Sequence, residues 1–100
     1  MSLKSKKFLE QLNSGPLTFG DLICSIRTGE ELSQVDFAKQ LGISKSHLCD
    51  IEKGRKSIST KKAAEYAEIL GYSKEIFIKL AIEDELHKAG LDFKVNIKVS

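Results

Sequence analysis

The sequence predicts a mostly α-helical protein: five helices in succession, followed by one C-terminal β-strand. Three observations predict it. Apolar residues recur at three- and four-residue spacing through most of the chain. Each such stretch opens on a hydroxyl residue (Thr18, Ser33, Ser44, Ser59, Ser73) and closes on a glycine (Gly29, Gly42, Gly54, Gly71, Gly90). From Leu91 onward the pattern changes to strict alternation. At 100 residues the chain is one domain, or a domain with a small appendage.

The elements follow in order. The stretch LKSKKFLEQL is a short basic helix, or an arm that orders on binding, and NSGPL breaks the chain after it. Thr18 stands three residues before Asp21 in the manner of a capping box, and Phe19, Leu22, Ile23 and Ile26 follow at one-face spacing. Ser33 caps a helix over residues 34–41, which turns Val35, Ala38 and Leu41 to one side with Phe37 on its flank. Ser44 caps the next, which runs to Gly54. Ser59 caps a fourth, packed through Ala63, Ala64, Tyr66, Ala67 and Leu70. Ser73 caps a fifth, with Ile76, Phe77, Leu80, Ala81 and Leu86 inward. In the tail, Leu91, Phe93, Val95, Ile97 and Val99 alternate with Asp92, Lys94, Asn96 and Lys98, which is the pattern of a strand with one apolar face. The expected organisation is an N-terminal arm or helix over 1–17, a helical domain over 18–72, and a helix plus strand over 73–100.

Composition narrows the function. The apolar share, 41%, is that of a folded globular protein. Charges nearly cancel, leaving +2, so the total does not point to nucleic acid. Their placement is more informative. Lys53, Arg55, Lys56, Lys61 and Lys62 fall within one acid-free segment, whereas residues 75–85 lean acidic. Cys24 and Cys49 lack metal-type spacing, and His47 and His87 lie far apart, so reduced thiols and no metal are expected. No signal peptide or membrane-length apolar run is present, which predicts a soluble cytoplasmic protein. No Ser/His/Asp or Cys/His set and no Gly-rich phosphate loop occurs. The expectation is no enzyme and no cofactor.

Gly42 interrupts an otherwise helical run. A glycine there accepts the left-handed backbone of a tight turn, with Ile43 as the apolar plug beside it. Two helices joined by a turn of about three or four residues that holds glycine is the helix-turn-helix plan. On the second helix Leu48 and Ile51 point to one side. Ser46, Cys49, Asp50 and Lys53 point to the other, with Lys45 at the edge. Short polar side chains let a helix approach base edges in a major groove. Its first turn also directs free N–H groups toward phosphate.

The residues Leu32-Ser33-Gln34, Phe37-Ala38, Leu41-Gly42-Ile43-Ser44, Leu48, Ile51-Glu52 and Gly54-Arg55 together resemble the Cro/C1 (XRE-type, lambda-repressor-like) helix-turn-helix family. Arg27 upstream and ISTKKAAEYAEILGYS downstream fit the same family, so the resemblance spans about Thr18 to Tyr72. It implies a compact bundle of four or five helices, five on the reading above, that binds operator DNA as a dimer. Carried over residue by residue, Lys45, Ser46 and Asp50 match base-reading positions, with Cys49 on the same face. Gln34 matches a phosphate-contacting glutamine. Arg55, Lys56 and Ser57 match the loop that follows the DNA backbone, and Ser44 and Lys53 at the two ends of the helix join the phosphate-facing set. Arg27 and Glu52 match a pair that ties the first helix to the end of the reading helix. Two departures are visible: Asp50 puts an acid on the reading face, and Ile58 stands where many relatives have proline.

The alternating tail has no obvious mate in the chain. The expected remedy is the same strand from a second copy, through Leu91, Phe93, Val95, Ile97 and Val99, across a two-fold axis; the alternative is a two-stranded ribbon with the chain's own N-terminal segment. The function expected is a homodimeric, sequence-specific transcriptional regulator acting as a repressor on a palindromic operator. The resemblance also permits an antitoxin that binds a toxin protein and represses its own operon.

Overall fold

The computed structural model describes residues 17–98, which form five helices and no strand. These are α1 (Phe19–Gly29), α2 (Gln34–Leu41), α3 (Lys45–Glu52), α4 (Thr60–Leu70) and α5 (Lys74–Lys88). The basic N-terminal stretch and Val99 lie outside the described residues. The chain divides into two compact units, one ending at Lys56 and one beginning at Ser57.

In the first unit each helix among the described residues starts on a side-chain cap. Thr18 and Asp21 form a reciprocal capping box on α1, at 3.0 and 3.2 Å. The Ser33 and Ser44 hydroxyls accept from Asp36 N and His47 N on α2 and α3. Helix ends are closed as uniformly. After α2, Gly42 is left-handed (φ 74°), with Ile43 N bonded to the Ala38 carbonyl and Gly42 N to that of Lys39. This is a Schellman closure, and it satisfies carbonyls that the last turn would leave open. After α1 the same pair of bonds forms from Leu32 N and Glu31 N, but the left-handed residue is Glu31 (φ 58°), not a glycine.

Leu22, Ile23 and Ile26 of α1, Phe37, Ala38 and Leu41 of α2, and Leu48 and Ile51 of α3 are buried. The expected inward set of α2 needs correction: Phe37 is fully buried, while Val35 is 45% exposed. The inward stripe is half-buried Gln34 with buried Phe37, Ala38 and Leu41, the i, i+3, i+4, i+7 set, and Val35 lies off it. Both α1 and α2 pack on α3.

In the second unit α4 and α5 pack on each other across the turn at Gly71 to Ser73. Ala63, Tyr66 and Ala67 face Phe77, Leu80 and Ala81 in its buried set, and the Tyr72 and Phe77 rings stack with centroids 6.1 Å apart. Burial pushes the Tyr66 phenol above its ordinary value. The C-terminal strand expected from the alternation does not form: residues 91–98 carry no strand. A strand requires a laddered partner, and here the backbone bonds go elsewhere. Leu91 N reaches back to the Leu86 carbonyl, Phe93 N to that of Leu91, and Val95 N donates to the Glu83 carboxylate at 2.8 Å. Val95 and Ile97 are half-buried, while Asn96 and Lys98 are exposed, so the period-two pattern survives as a face laid toward α5. Leu91 and Phe93 remain 46% and 64% exposed.

Candidate nucleic-acid interface

The turn between α2 and α3 is built from the sequence L-G-I-S. Gly42 supplies the positive φ, and Ser44 restarts a helix two residues later. A β-carbon at Gly42 would meet nothing within 4 Å. The requirement at that position is therefore conformational and not steric.

The α3 helix is anchored by Leu48 and Ile51, which are 0% and 1% exposed. Its opposite side carries Lys45 and Ser46, both exposed, and Cys49 and Asp50, both half-exposed. His47 is half-exposed as well. The helix closes at Gly54, with Gly54 N on the Ile51 carbonyl and Arg55 N on that of Asp50 at 2.8 Å. That closure brings the cationic turn of Lys53, Arg55 and Lys56, all exposed, directly after this exposed side of α3. The Arg55 guanidinium stands 3.7 Å from the Asp50 carboxylate, an exposed and loose pair of little energetic weight. Ser57, the last of the expected phosphate-facing residues, belongs to the second unit, where its hydroxyl accepts from the Lys88 ammonium at 2.8 Å.

A buried polar junction fixes the other end of α3. The Glu52 side chain is 6% exposed and that of Arg27 17%. Arg27 Nε donates to Glu52 Oε2 at 2.7 Å and Nη2 to Oε1 at 3.1 Å, a two-pronged pair between α1 and α3. The third nitrogen, Nη1, donates to the Leu32 carbonyl at 3.0 Å. Hydrogen bonding to Glu52 raises the Arg27 guanidinium above its ordinary value, against the opposing effect of burial. Nearby, burial pushes the Cys24 thiol up, and the Glu52 charge adds to this while Arg27 opposes it. A thiol held in its protonated form is a poor nucleophile.

Gln34 is the fourth member of this junction. It donates from Nε2 to Glu52 Oε1 at 3.1 Å. Sequence reasoning placed Gln34 against phosphate and did not connect it with Glu52. Gln34 is half-buried one turn before Phe37 and Ala38, and its meeting with Glu52 depends on how α1, α2 and α3 come together. Gly20 was missed altogether. A β-carbon there would lie 2.8 Å from the Glu52 carbonyl oxygen and closer still to that of Ile51. The start of α1 thus abuts the last backbone carbonyls of α3 directly. A glycine inside a helical stripe is the only sequence mark of such an approach.

Among the described residues no group of three or more His, Cys, Asp or Glu side chains could hold a metal, and no helix is long and apolar enough to cross a membrane. A family model described as helix-turn-helix matches residues 25–77, which include the end of α1, the α2–α3 turn and the start of α5. Comparison with curated proteins and with solved structures gives no match. With the turn at Gly42, the anchored α3 and the matched span in agreement, the chain belongs to the Cro/C1 (XRE-type) helix-turn-helix family of DNA-binding transcriptional regulators.

Proposed function

We propose that the protein is a sequence-specific repressor that binds a palindromic operator as a homodimer. The observation that carries the DNA reading is α3 itself. Leu48 and Ile51 are buried on one side, while Lys45 and the short Ser46 are exposed on the other. Such a face can approach base edges closely. Lys45 is suited to guanine O6 and N7, Ser46 to several edges, and Asp50 to a cytosine amino group. Cys49, on the same face, is suited to a thymine methyl. Gln34 and Ser44 at helix starts, with Lys53, Arg55 and Lys56 after α3, supply the phosphate contacts that set register.

The homodimer rests on different observations. Helix α5 carries half-buried Ile76, Ile78 and Ile82 in addition to its buried Phe77, Leu80 and Ala81, so its apolar residues are not confined to one stripe. Leu91 and Phe93 add exposed apolar area beside it. A second copy covering these residues would present two reading helices, which suits half-sites about 34 Å apart. The same two side chains would also serve a toxin protein as a docking point. A stoichiometric partner co-purifying from the native host favours that second reading.

Selection of bound duplexes from a random pool tests the proposal. Recovery of an inverted repeat with half-sites one turn apart is expected. A pool that stays random after repeated rounds contradicts sequence-specific binding.

A further inference from the structure

The Glu52 carboxylate accepts from Arg27 twice and from Gln34 once, and these donors come from α1 and α2 while Glu52 sits on the last residue of α3. A carboxylate paired with a guanidinium offers only acceptors, so the Gln34 amide must turn its NH₂ end toward it; its carbonyl end there would be repelled. One Nε2 hydrogen is taken by Glu52. The second is left with a fixed direction at the first residue of α2, in a side chain that is only half-buried.

We infer that Glu52 is a positioning residue: through its bond to Gln34 it holds the free Nε2 hydrogen in place for a backbone phosphate of duplex DNA, so that the phosphate anchor and the reading helix move as one body. This rests on the DNA-binding reading given above and adds to it the residue that orders the anchor. A glutamine without such a partner has three free torsions to fix on binding, and ordering a rotamer-rich side chain of this kind costs about 0.5–1.5 kcal/mol, or roughly two- to tenfold in affinity. Glu52 removes that cost in advance.

A double-mutant cycle read on a random-sequence duplex isolates the effect, because a phosphate contact carries no sequence information. Gln34→Ala weakens binding about fivefold, the order expected of one net hydrogen bond. Glu52→Gln in the native background weakens it by a similar factor, since a neutral amide can meet Gln34 in either orientation. In the Gln34→Ala background Glu52→Gln costs nothing further in affinity. Both forms of Glu52→Gln lower the melting temperature alike, because the Arg27 pairing is weakened in each. A loss of affinity from Glu52→Gln that is equal in the two backgrounds overturns the inference and leaves Glu52 a purely structural residue. Failure of the native protein to bind any duplex overturns the DNA reading itself, and the inference with it.

Side-chain amide relaxation measured by ¹⁵N NMR on the native protein gives a second test that does not depend on a variant folding. The Gln34 amide is expected to be ordered before DNA is added, with an order parameter approaching the rigid-backbone value of about 0.85. A Gln34 amide that is mobile in the free protein and orders only on binding contradicts the proposal.

Discussion

Gly42 and Gly20 are needed for opposite reasons. At Gly42 there is space for a side chain but the backbone is left-handed. At Gly20, inside α1, the helix geometry would accept any residue, but the carbonyls of Ile51 and Glu52 occupy the space. Gly20→Ala gains up to about 1 kcal/mol of helix propensity and loses more to the clash, because α1 and the end of α3 must separate. A net destabilisation of about 1–3 kcal/mol is expected from denaturant melts; an unchanged or raised midpoint would show that the two helices do not abut there. Glu31 offers the reverse case. It is exposed and left-handed, and Glu31→Gly should stabilise the protein by up to about 1 kcal/mol, since a β-carbon in that conformation costs about 1–2. The third residue-scale expectation concerns Arg27. Arg27→Met leaves the Glu52 carboxylate buried with only Gln34 as a partner, and a loss of about 3–5 kcal/mol follows from stranding a buried charge. A loss below about 1 kcal/mol would mean that the pair is solvated in solution. None of these magnitudes was legible in the sequence. Arg27 and Glu52 could be matched to a family pair, but their burial, and the arrival of Gln34 on the same carboxylate, depend on how three helices meet.

At the scale of elements the sequence was far more explicit, because capping is local chemistry. A hydroxyl that accepts the third amide of its own helix, and a glycine that turns left-handed at the end, act over six residues and need no tertiary partner. Ser33, Ser44 and Ser59 each accept from the amide three residues on, and helices α2 to α5 each close through a glycine of positive φ. Ser44→Ala should cost about 1 kcal/mol, and by fraying the first turn of α3 it should weaken DNA binding as well. Retained stability would show that the cap contributes little there. Two elements were misjudged, each for a reason beyond local chemistry. The two-turn α2 offers Val35 and Phe37 as rival inward residues, and only the position of α3 decides for Phe37. The tail has the period of a strand, but period two fixes a face, not a partner. With Glu83 accepting the Val95 amide and Leu91 N bonded back to Leu86, the chain satisfies part of the tail against α5. If a second copy completes what remains, then removing residues 91–100 converts dimers to monomers in sedimentation at micromolar concentration. Dimers that persist without the tail would place the contact elsewhere.

For the whole molecule, a net charge of +2 makes long-range attraction to DNA weak, and the binding proposed above draws on the few cations and helix starts around α3. Each phosphate neutralised releases counterions, and affinity should fall steeply as salt is raised, with a logarithmic slope of about −0.9 for each such contact. Gln34→Ala removes a neutral donor and should leave that slope nearly unchanged, whereas Arg55→Ala should reduce it by about one. The proposal turns less on binding as such than on the Lys45 and Ser46 side of α3 reading bases. The most direct measurement compares Lys45→Ala and Ser46→Ala with the native protein on a selected site and on a random duplex, at one salt concentration. The selected site is expected to lose about 1–3 kcal/mol of its advantage, the value of one good base contact, while affinity for the random duplex changes little. Equal losses on both duplexes, or none on either, would contradict the proposal.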